Sequence, residues 1–403
     1  MTDKSYPSNK KIRVLMDSQA FDMQTHGGIS RCFAELITRM PEDVSLCLPI
    51  IESQNVYLRE KGLVSDRDSY LEYCNGHPTP IKRFWYKLST NIKEGHWKQW
   101  DRMPRLSQNE TEHLLAQGDF DVFHPTYYDT YFLRKIGNKP FVLTVHDMIP
   151  ERYAGIYTFS DHQLKNKRKL IPLASHVIAV SEHTKNDIVN LLGIAPEKIS
   201  VIHHGIDQTP YVPIPDGNGY GNYLLYVGQR GTYKNFHRFV LEVTSVLNNH
   251  PELSVICTSD PFSAEEDSFL RRNGVRGRFI HKFVYSDAEI MNLYHYAQAF
   301  VYPSECEGFG IPILEAYRAG CPVMLNRSSC FPEIAGDAAV FFDFDSRRQG
   351  LQYKLEELLS WTPEQKEKLL TIQRERLRLY SWEKAAQELA NVYRRVAWEH
   401  NNT

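Results

Sequence analysis

The strongest constraint on this chain of 403 residues is an alternation that runs through it twice. Short apolar runs begin at Ile12 (IRVLMDS), Ser45 (SLCLPII), Asp121 (DVFHP), Phe141 (FVLTVHD), His176 (HVIAVS) and Lys198 (KISVIHH). Stretches of helical period, such as ISRCFAELITRM and TKNDIVNLLG, separate most of them. Strands alternating with helices build a parallel sheet wound on both faces. Between Gly205 and Asn222 the chain turns rich in proline and glycine, the composition of a linker. A second series follows at once, with YLLYVG, LSVICTS, RFIHKF and AFVYPS as strands and KNFHRFVLEVTSVLNNH, AEEDSFLRRNG and DAEIMNLYHYAQ as helices. The length suits two domains of about 200 residues each. The expected division is 1–205, then 206–380, with the periodic helix in 381–403 packing back toward the first domain. Each half begins strand, glycine-containing loop, helix.

Composition narrows the partners. With 42% hydrophobic and 24% charged residues the chain is of the globular class, and a net charge of −2 argues against a general nucleic-acid binder. No apolar run approaches the ~18 residues of a membrane span, and the first residues, MTDKSYPSNKK, lack a signal peptide's apolar core. Seven scattered cysteines without a CxxC pair suit free thiols in a reducing cytosol. Residues 77–117 depart from the alternation: Trp85, Trp97 and Trp100 stand among basic residues. Two readings stay open, a helical insertion packing its aromatics on the sheet, or a surface for a membrane interface or an extended acceptor. The basic run LKNKRKL at 164–170 reads as a solvated face, with anionic lipid as its alternative.

The chemistry concentrates in SECEGFGIPILEAYRAGCPV, from Ser304 to Val323. Pro312 suits the start of a helix, which Gly320 ends. Glu307 then lies in the preceding loop and Glu315 in the helix's first turns. Gly308 and Gly310 let other groups approach the backbone, and their amides, with those opening the helix, form a nest for an anion. Donors for phosphate beside carboxylates for hydroxyls fit a ligand carrying both phosphates and sugars. VGQRGTYKNF follows the first strand of the second half; its Arg230 and Lys234 are a fork and a point charge suited to a diphosphate. Both segments are expected at the sheet's carboxyl edge, where such folds bind ligands. Gly27-Gly28 would bring another helix N-terminus across the cleft. A GxGxxG dinucleotide fingerprint and a GxxxxGK[ST] phosphate loop are both absent.

This set of motifs resembles the retaining glycosyltransferases of family 4, which use nucleotide sugars and have the GT-B fold: α/β, with two Rossmann-like doubly wound domains facing a central cleft. The resemblance covers most of the chain, and five motifs occur in order. They are E-x7-E from Glu307 to Glu315, VGQRGTYKNF, TVHD at 144–147, VSEHTKND from Val180 and HHGID from His203. It implies that Gly28, Arg230, Lys234 and the backbone around Ile311 hold a donor diphosphate. Glu315 would take the ribose hydroxyls, and Phe283 and Val284 would lie along the base. Glu307, with the amides of Gly308, Phe309 and Gly310, would grip the donor sugar, His146 would stand near its anomeric carbon, and Glu307 and His146 are the catalytic candidates. His124, Tyr127, Tyr128, Asp147 and Ser181 are candidates for the acceptor side, Ser181 being equally suited to cap the helix after it.

The implied reaction moves a hexose, with GDP-mannose first among donors and UDP- or dTDP-sugars open, to a hydroxyl of a glycan or lipid-linked glycan. No essential metal and no cofactor is expected, since no D-x-D stands where a metal-using enzyme would need it and DFD at 343–345 falls late. Front-face transfer and a covalent intermediate on Glu307 both stay open. So do a non-catalytic nucleotide-sugar binder and an epimerase or phosphorylase on the same fold. A glycosidase would also present paired carboxylates, but it leaves the basic cluster without a purpose. The expected place of work is the cytosol, open to peripheral contact with the inner face of the cytoplasmic membrane.

Overall fold

The computed structural model describes residues 11–51, 53–63, 103–156, 161–214, 219–284 and 286–402. The tryptophan-rich segment 77–102 lies outside them; the rest of that region, Met103–Gln117, is a helix.

Twelve strands appear among the described residues, each pairing in parallel. β1 (Ile12–Met16), β2 (Val44–Cys47) and β3 (Val122–His124) form a sheet in the order β2-β1-β3. β4 (Val142–Val145), β5 (His176–Ala179) and β6 (Ile199–Val201) follow in the order β4-β5-β6. A single parallel bridge, Phe123 to Phe141, joins these two sheets into one surface. The second unit is one sheet of six: β7 (Asn222–Tyr226), β8 (Leu253–Cys257), β9 (Phe279–His281), β10 (Ala299–Tyr302), β11 (Val323–Asn326) and β12 (Val340–Phe342), ordered β12-β11-β10-β7-β8-β9.

That order decides where a ligand can enter. The chain runs outward from β7 through β8 to β9, then crosses back to β10 and runs outward on the other side. Loops leaving β7 and β10 therefore diverge from neighbouring strand ends and open a crevice, the switch point of a doubly wound sheet. They are the two segments that carry Lys234 and Glu307.

Side-chain alternation splits each sheet into two buried faces. In β1, Val14 and Met16 join one core cluster and Leu15 another; in β7, Tyr223 and Leu225 oppose Leu224 and Tyr226. The Gly28–Thr38 helix and the last helix, Trp382–Asn401, share the cluster that holds Val14. The last helix buries Trp382, Ala385, Ala386, Leu389, Ala390, Tyr393, Val396 and Ala397, a stripe of i, i+3 and i+4 spacing. Ser381 caps its start, accepting from the Lys384 amide at 3.1 Å, and Arg394 forks onto Asp43 at 2.7 and 2.8 Å. The preceding helix, Pro363–Leu377, packs Leu377 into the core of the second unit. The chain thus returns across the junction at Tyr380, whose carbonyl accepts from the Ile206 amide.

Gly205 marks how tight that return is. A Cβ there would stand 2.2 Å from the backbone nitrogen of Trp382, whereas one at Gly277 would meet nothing within 4 Å. We expect Gly205→Ala to cost about 1–3 kcal/mol through overpacking and lower the thermal midpoint, with Gly277→Ala close to wild type. Equal melting of the two variants in calorimetry would contradict this packing.

Candidate functional site

The crevice is built by two short loops. After β7 the chain makes a 3-10 turn at Thr232–Lys234 and passes through Asn235, whose left-handed φ of 55° turns it into the Phe236–Asn249 helix. After β10 the loop Pro303–Gly310 ends at Gly310, left-handed at φ 92°, and the Ile311–Ala319 helix starts with Pro312 in its first turn and stops at left-handed Gly320. The Glu305 amide donates to the Tyr233 carbonyl at 2.8 Å, tying the loops together. Across them, Lys234 Nζ donates to Glu307 Oε1 at 2.5 Å. Burial opposes the charge on Lys234, but the Glu307 carboxylate outweighs it and holds the ammonium above its usual pKa.

The first unit closes over this pair backbone to backbone. A Cβ on Gly308 would lie 1.7 Å from the His146 carbonyl oxygen, so only glycine allows the approach. Ser181 Oγ donates to the Gly308 carbonyl at 2.6 Å while accepting from the Thr184 amide. Farther along, Glu333 of the second unit accepts from the amides of Glu182 and His183 and from His203 Nε2, at 2.8, 3.1 and 2.7 Å. Burial would raise the Glu333 carboxyl, but these donors win and hold it below the usual range. A carboxylate of one unit therefore caps a helix of the other. At the far end of the crevice, Gly28 faces Ile311, whose Cδ1 a Cβ on Gly28 would meet at 3.8 Å, so the two helix N-termini oppose each other.

His146 sits where these contacts converge. Its amide donates to the Tyr128 hydroxyl at 3.0 Å, and its ring stacks on His204 with centroids 6.0 Å apart. Its Nε2 is buried and has no hydrogen-bond partner among the described residues. Burial, then the neighbouring His124 and Lys167, push its pKa down to about 3, so the ring is neutral. Beneath it lies Lys167, fully buried, with Glu151 at 2.8 Å, the Asp147 carbonyl at 2.7 Å and the Tyr128 ring at 5.5 Å.

Several expectations from the sequence are corrected here. Arg230 does not join Lys234. Its side chain is 4% exposed and turns to Glu266 and to the carbonyls of Thr258, Asp260 and Pro261, with its guanidinium 4.8 Å from the Phe262 ring. A fork of donors found a nest of carbonyls nearer than the crevice, so Arg230 ties the loop after β7 to the one after β8. His124 is a core residue: its ring nitrogens meet the Tyr393 hydroxyl at 2.6 Å and Thr144 Oγ1 at 3.0 Å, under the last helix. Tyr128 is buried as the acceptor for the His146 amide, and Ser181 is spent on Gly308, so none of these three presents its side chain to an acceptor. The run 164–170 is not wholly solvated, since Asn166 and Lys167 are buried.

The remaining candidates differ in exposure and partners. Tyr127 is half-buried, its ring 4.4 Å from that of Tyr128, and burial pushes its hydroxyl up to about 12. Asp147 accepts from the Ile149 amide at 3.0 Å. Phe283 is 48% exposed, and Val284 is partly buried against the core of the second unit. The Phe309 ring is buried between His204 and Tyr380, which leaves its backbone on the loop.

Glu315 holds a partner that the sequence reading missed. Arg31 NH1 donates to Glu315 Oε1 at 2.8 Å across the crevice, and Tyr294 donates to Oε2 at 3.3 Å. One signal was present: Arg31 is a cation in the first turn of a helix, where the dipole disfavours it. Lys167 likewise stands on the apolar stripe Leu164, Leu170, Ile171 of its helix. Glu333 left no local signal, because its partners lie in the other unit.

One cluster of metal-ligand types occurs among the described residues, His183, Asp187 and Cys306. Arg152 already holds Asp187 at 2.8 Å, and burial pushes the Cys306 thiol up to about 12, which keeps it protonated. The Arg152 guanidinium beside Asp187 opposes a dication there.

Burial also sets a pH dependence. It pushes His124, His146 and His204 down to about 3 and His176 to about 4, against 6.5 for the free side chain. Below pH 6.5 the unfolded chain takes up protons that the fold refuses, so the stability is present above that pH and is lost as pH falls toward 3–4. Thermal melts should show the midpoint falling steadily as buffer goes from pH 7 to pH 5. A flat profile would mean these rings are wetter than described.

Comparison with known proteins finds two family models side by side: one described as Glycosyltransferase Family 4 over residues 73–209, the other as Glycosyl transferases group 1 over 214–375. O-antigen chain mannosyltransferase RfbU of Salmonella typhimurium is 26% identical over 232 residues, 54% of this chain and 64% of that protein. O-antigen chain mannosyltransferase B of Escherichia coli is 27% identical over 244 residues, 55% of this chain and 61% of that protein. The match thus spans less than two thirds of either relative's length. Among solved structures, Anabaena HepE in complex with UDP and glucose superposes with a TM-score of 0.63 at 18% identity, covering 94% of this chain and 99% of that one. WaaG, a glycosyltransferase involved in lipopolysaccharide biosynthesis, superposes at 0.60 with 14% identity, covering 94% and 99%. At these identities the likeness shows the fold.

Proposed function

Because the chain belongs to glycosyltransferase family 4 and has its GT-B fold, we propose that it moves a hexose from a nucleoside-diphosphate sugar to a hydroxyl of a glycan or lipid-linked glycan, with retained configuration, in polysaccharide synthesis. The observation that carries this reading is the pairing of Lys234 with Glu307 at the switch point, at 2.5 Å and directly under the His146–Gly308 contact. The names of the O-antigen relatives support a mannose donor, with GDP-mannose first; the solved neighbour with UDP keeps uridine donors open.

In this mechanism the bond between the anomeric carbon and phosphate breaks and leaves negative charge on the diphosphate. Lys234 and the amides from Gly308 to Ile311 meet that charge in place of a metal ion, the Gly28 helix end facing them from across the crevice. The acceptor oxygen bonds to the anomeric carbon on the leaving-group face, and a phosphate oxygen takes its proton. The ion pair with Lys234 favours this route over attack by Glu307, since a carboxylate held by an ammonium is a weaker nucleophile. His146, neutral and with a free Nε2, offers one hydrogen bond to the donor sugar. Tyr127 and Asp147 stand on the acceptor side. A lipid-linked acceptor would bring the protein to a membrane surface, for which the aromatic, basic segment 77–102 is suited.

The test is nucleotide release from a panel of GDP-, UDP- and dTDP-sugars, with and without acceptor glycan and with EDTA throughout. We expect release that requires acceptor and survives chelation. Lys234→Ala should lower kcat/KM by about 100- to 1,000-fold, and Glu307→Ala should abolish turnover with the fold intact. Arg230→Ala, removing a buried scaffold, should act first on thermal stability. Binding of none of these donors would sink the reading, and acceptor-independent turnover would replace it with an epimerase or hydrolase.

A further inference from the structure

The two oxygens of Glu315 are held from opposite sides. Oε1 accepts from Arg31, carried by the first unit, and Oε2 from Tyr294, which is fully buried in the second. Both members of the Arg31–Glu315 pair are 13% exposed, so this is no loose surface contact. Arg31 reaches a second carboxylate of the same unit, Asp287 at 3.5 Å, and Asp287 also lies 3.7 Å from His26. His26 is in turn 2.9 Å from the Tyr57 hydroxyl. His26, Arg31 and Tyr57 thus form a first-unit wall against the end of the crevice bounded by Asp287 and Glu315. Burial opposes the Arg31 charge, but Glu315 and then Asp287 outweigh it and hold the guanidinium firmly protonated.

We infer that Arg31 is a positioning residue for the nucleoside end of the donor: by holding one oxygen of Glu315 it sets the carboxylate to receive a vicinal diol, and it couples occupation of that diol site to closure of the two units. This rests on the proposed function, in which Glu315 takes the ribose. A carboxylate has about four lone-pair sites. Arg31 and Tyr294 occupy one on each oxygen, which leaves one on each for two adjacent hydroxyls. Those free sites are fixed in direction only while both holders are present, and Arg31 is present only when the units are closed. Tyr294 alone would leave Oε1 free to turn.

The test compares binding of a ribonucleoside diphosphate, GDP or UDP, with that of its 2′,3′-dideoxy analogue by calorimetry. The wild type should prefer the ribonucleotide by about 10- to 100-fold. Arg31→Met and Glu315→Gln should each lose most of that preference, read as the ratio of the two affinities in each variant, and the double variant should lose no more than either alone. Arg31→Lys, which keeps the charge without the fork, should retain part of it and carries the test if Arg31→Met fails to fold. Loss of the preference in Glu315→Gln but not in the Arg31 variants overturns this inference and leaves the ribose reading standing. An unchanged preference in Glu315→Gln overturns both.

Discussion

The Gly308 backbone meets the His146 carbonyl oxygen so closely that no side chain could stand between them, and the hydroxyl of Ser181 fastens the Gly308 carbonyl from the same side. The arrangement of the crevice follows from this contact. Gly308 adjoins Glu307, which pairs with Lys234; His146 carries the buried ring with the open nitrogen. A contact between two backbones has little tolerance, because neither can move without shifting the strand end it leaves: β4 on one side, β10 on the other. Closure therefore sets the spacing between the loops after β7 and β10 and the buried His146 Nε2, unpartnered among the described residues, with the stiffness of two sheets rather than of two side chains.

Around that point the units are joined by charge-assisted hydrogen bonds at partly buried positions, a geometry in which such bonds outlast solvent screening. Glu333 caps the helix beginning at Glu182, and Arg31 reaches Glu315 at the other end. The first lies near the chain's return crossing at Tyr380; the second lies at the far end of the crevice. Closure at Glu333 involves no residue assigned to donor or acceptor, whereas closure at Arg31 engages a carboxylate assigned to the donor. Glu333 thus joins the units at their return crossing, and Arg31 joins them at Glu315. Arg230, cationic and on the same loop as Lys234, spends its donors on Glu266 and the carbonyls beyond β8, which leaves Lys234 as the cation paired with Glu307.

The sequence was legible where local rules suffice. Pro312 and Gly320 delimit their helix within one residue because a fixed φ and a left-handed stop act without partners. The strands were readable from period and composition. Misreadings share one cause, tertiary partners that no local pattern reports. His124 in FHPTYYD had the look of a binding residue but fills a slot under Tyr393, 269 positions later. Ser181 suits either a cap or an acceptor contact by its sequence context; in the structure it is the cap, and it also ties down Gly308. Lys167 in a basic run resembled a solvated face until Glu151 and Asp147 gave it a buried site.

The central claim is that backbone contact at Gly308 brings the two halves of the site into register. Kinetics of Gly308→Ala test it most directly, because the added methyl forces the units apart at that point and removes no functional group. With donor and acceptor saturating, the account predicts a fall in kcat of about 100-fold or more, with affinity for the nucleoside diphosphate retained on the second unit. A variant that turns over like the wild type would show that the chemistry does not depend on this closure.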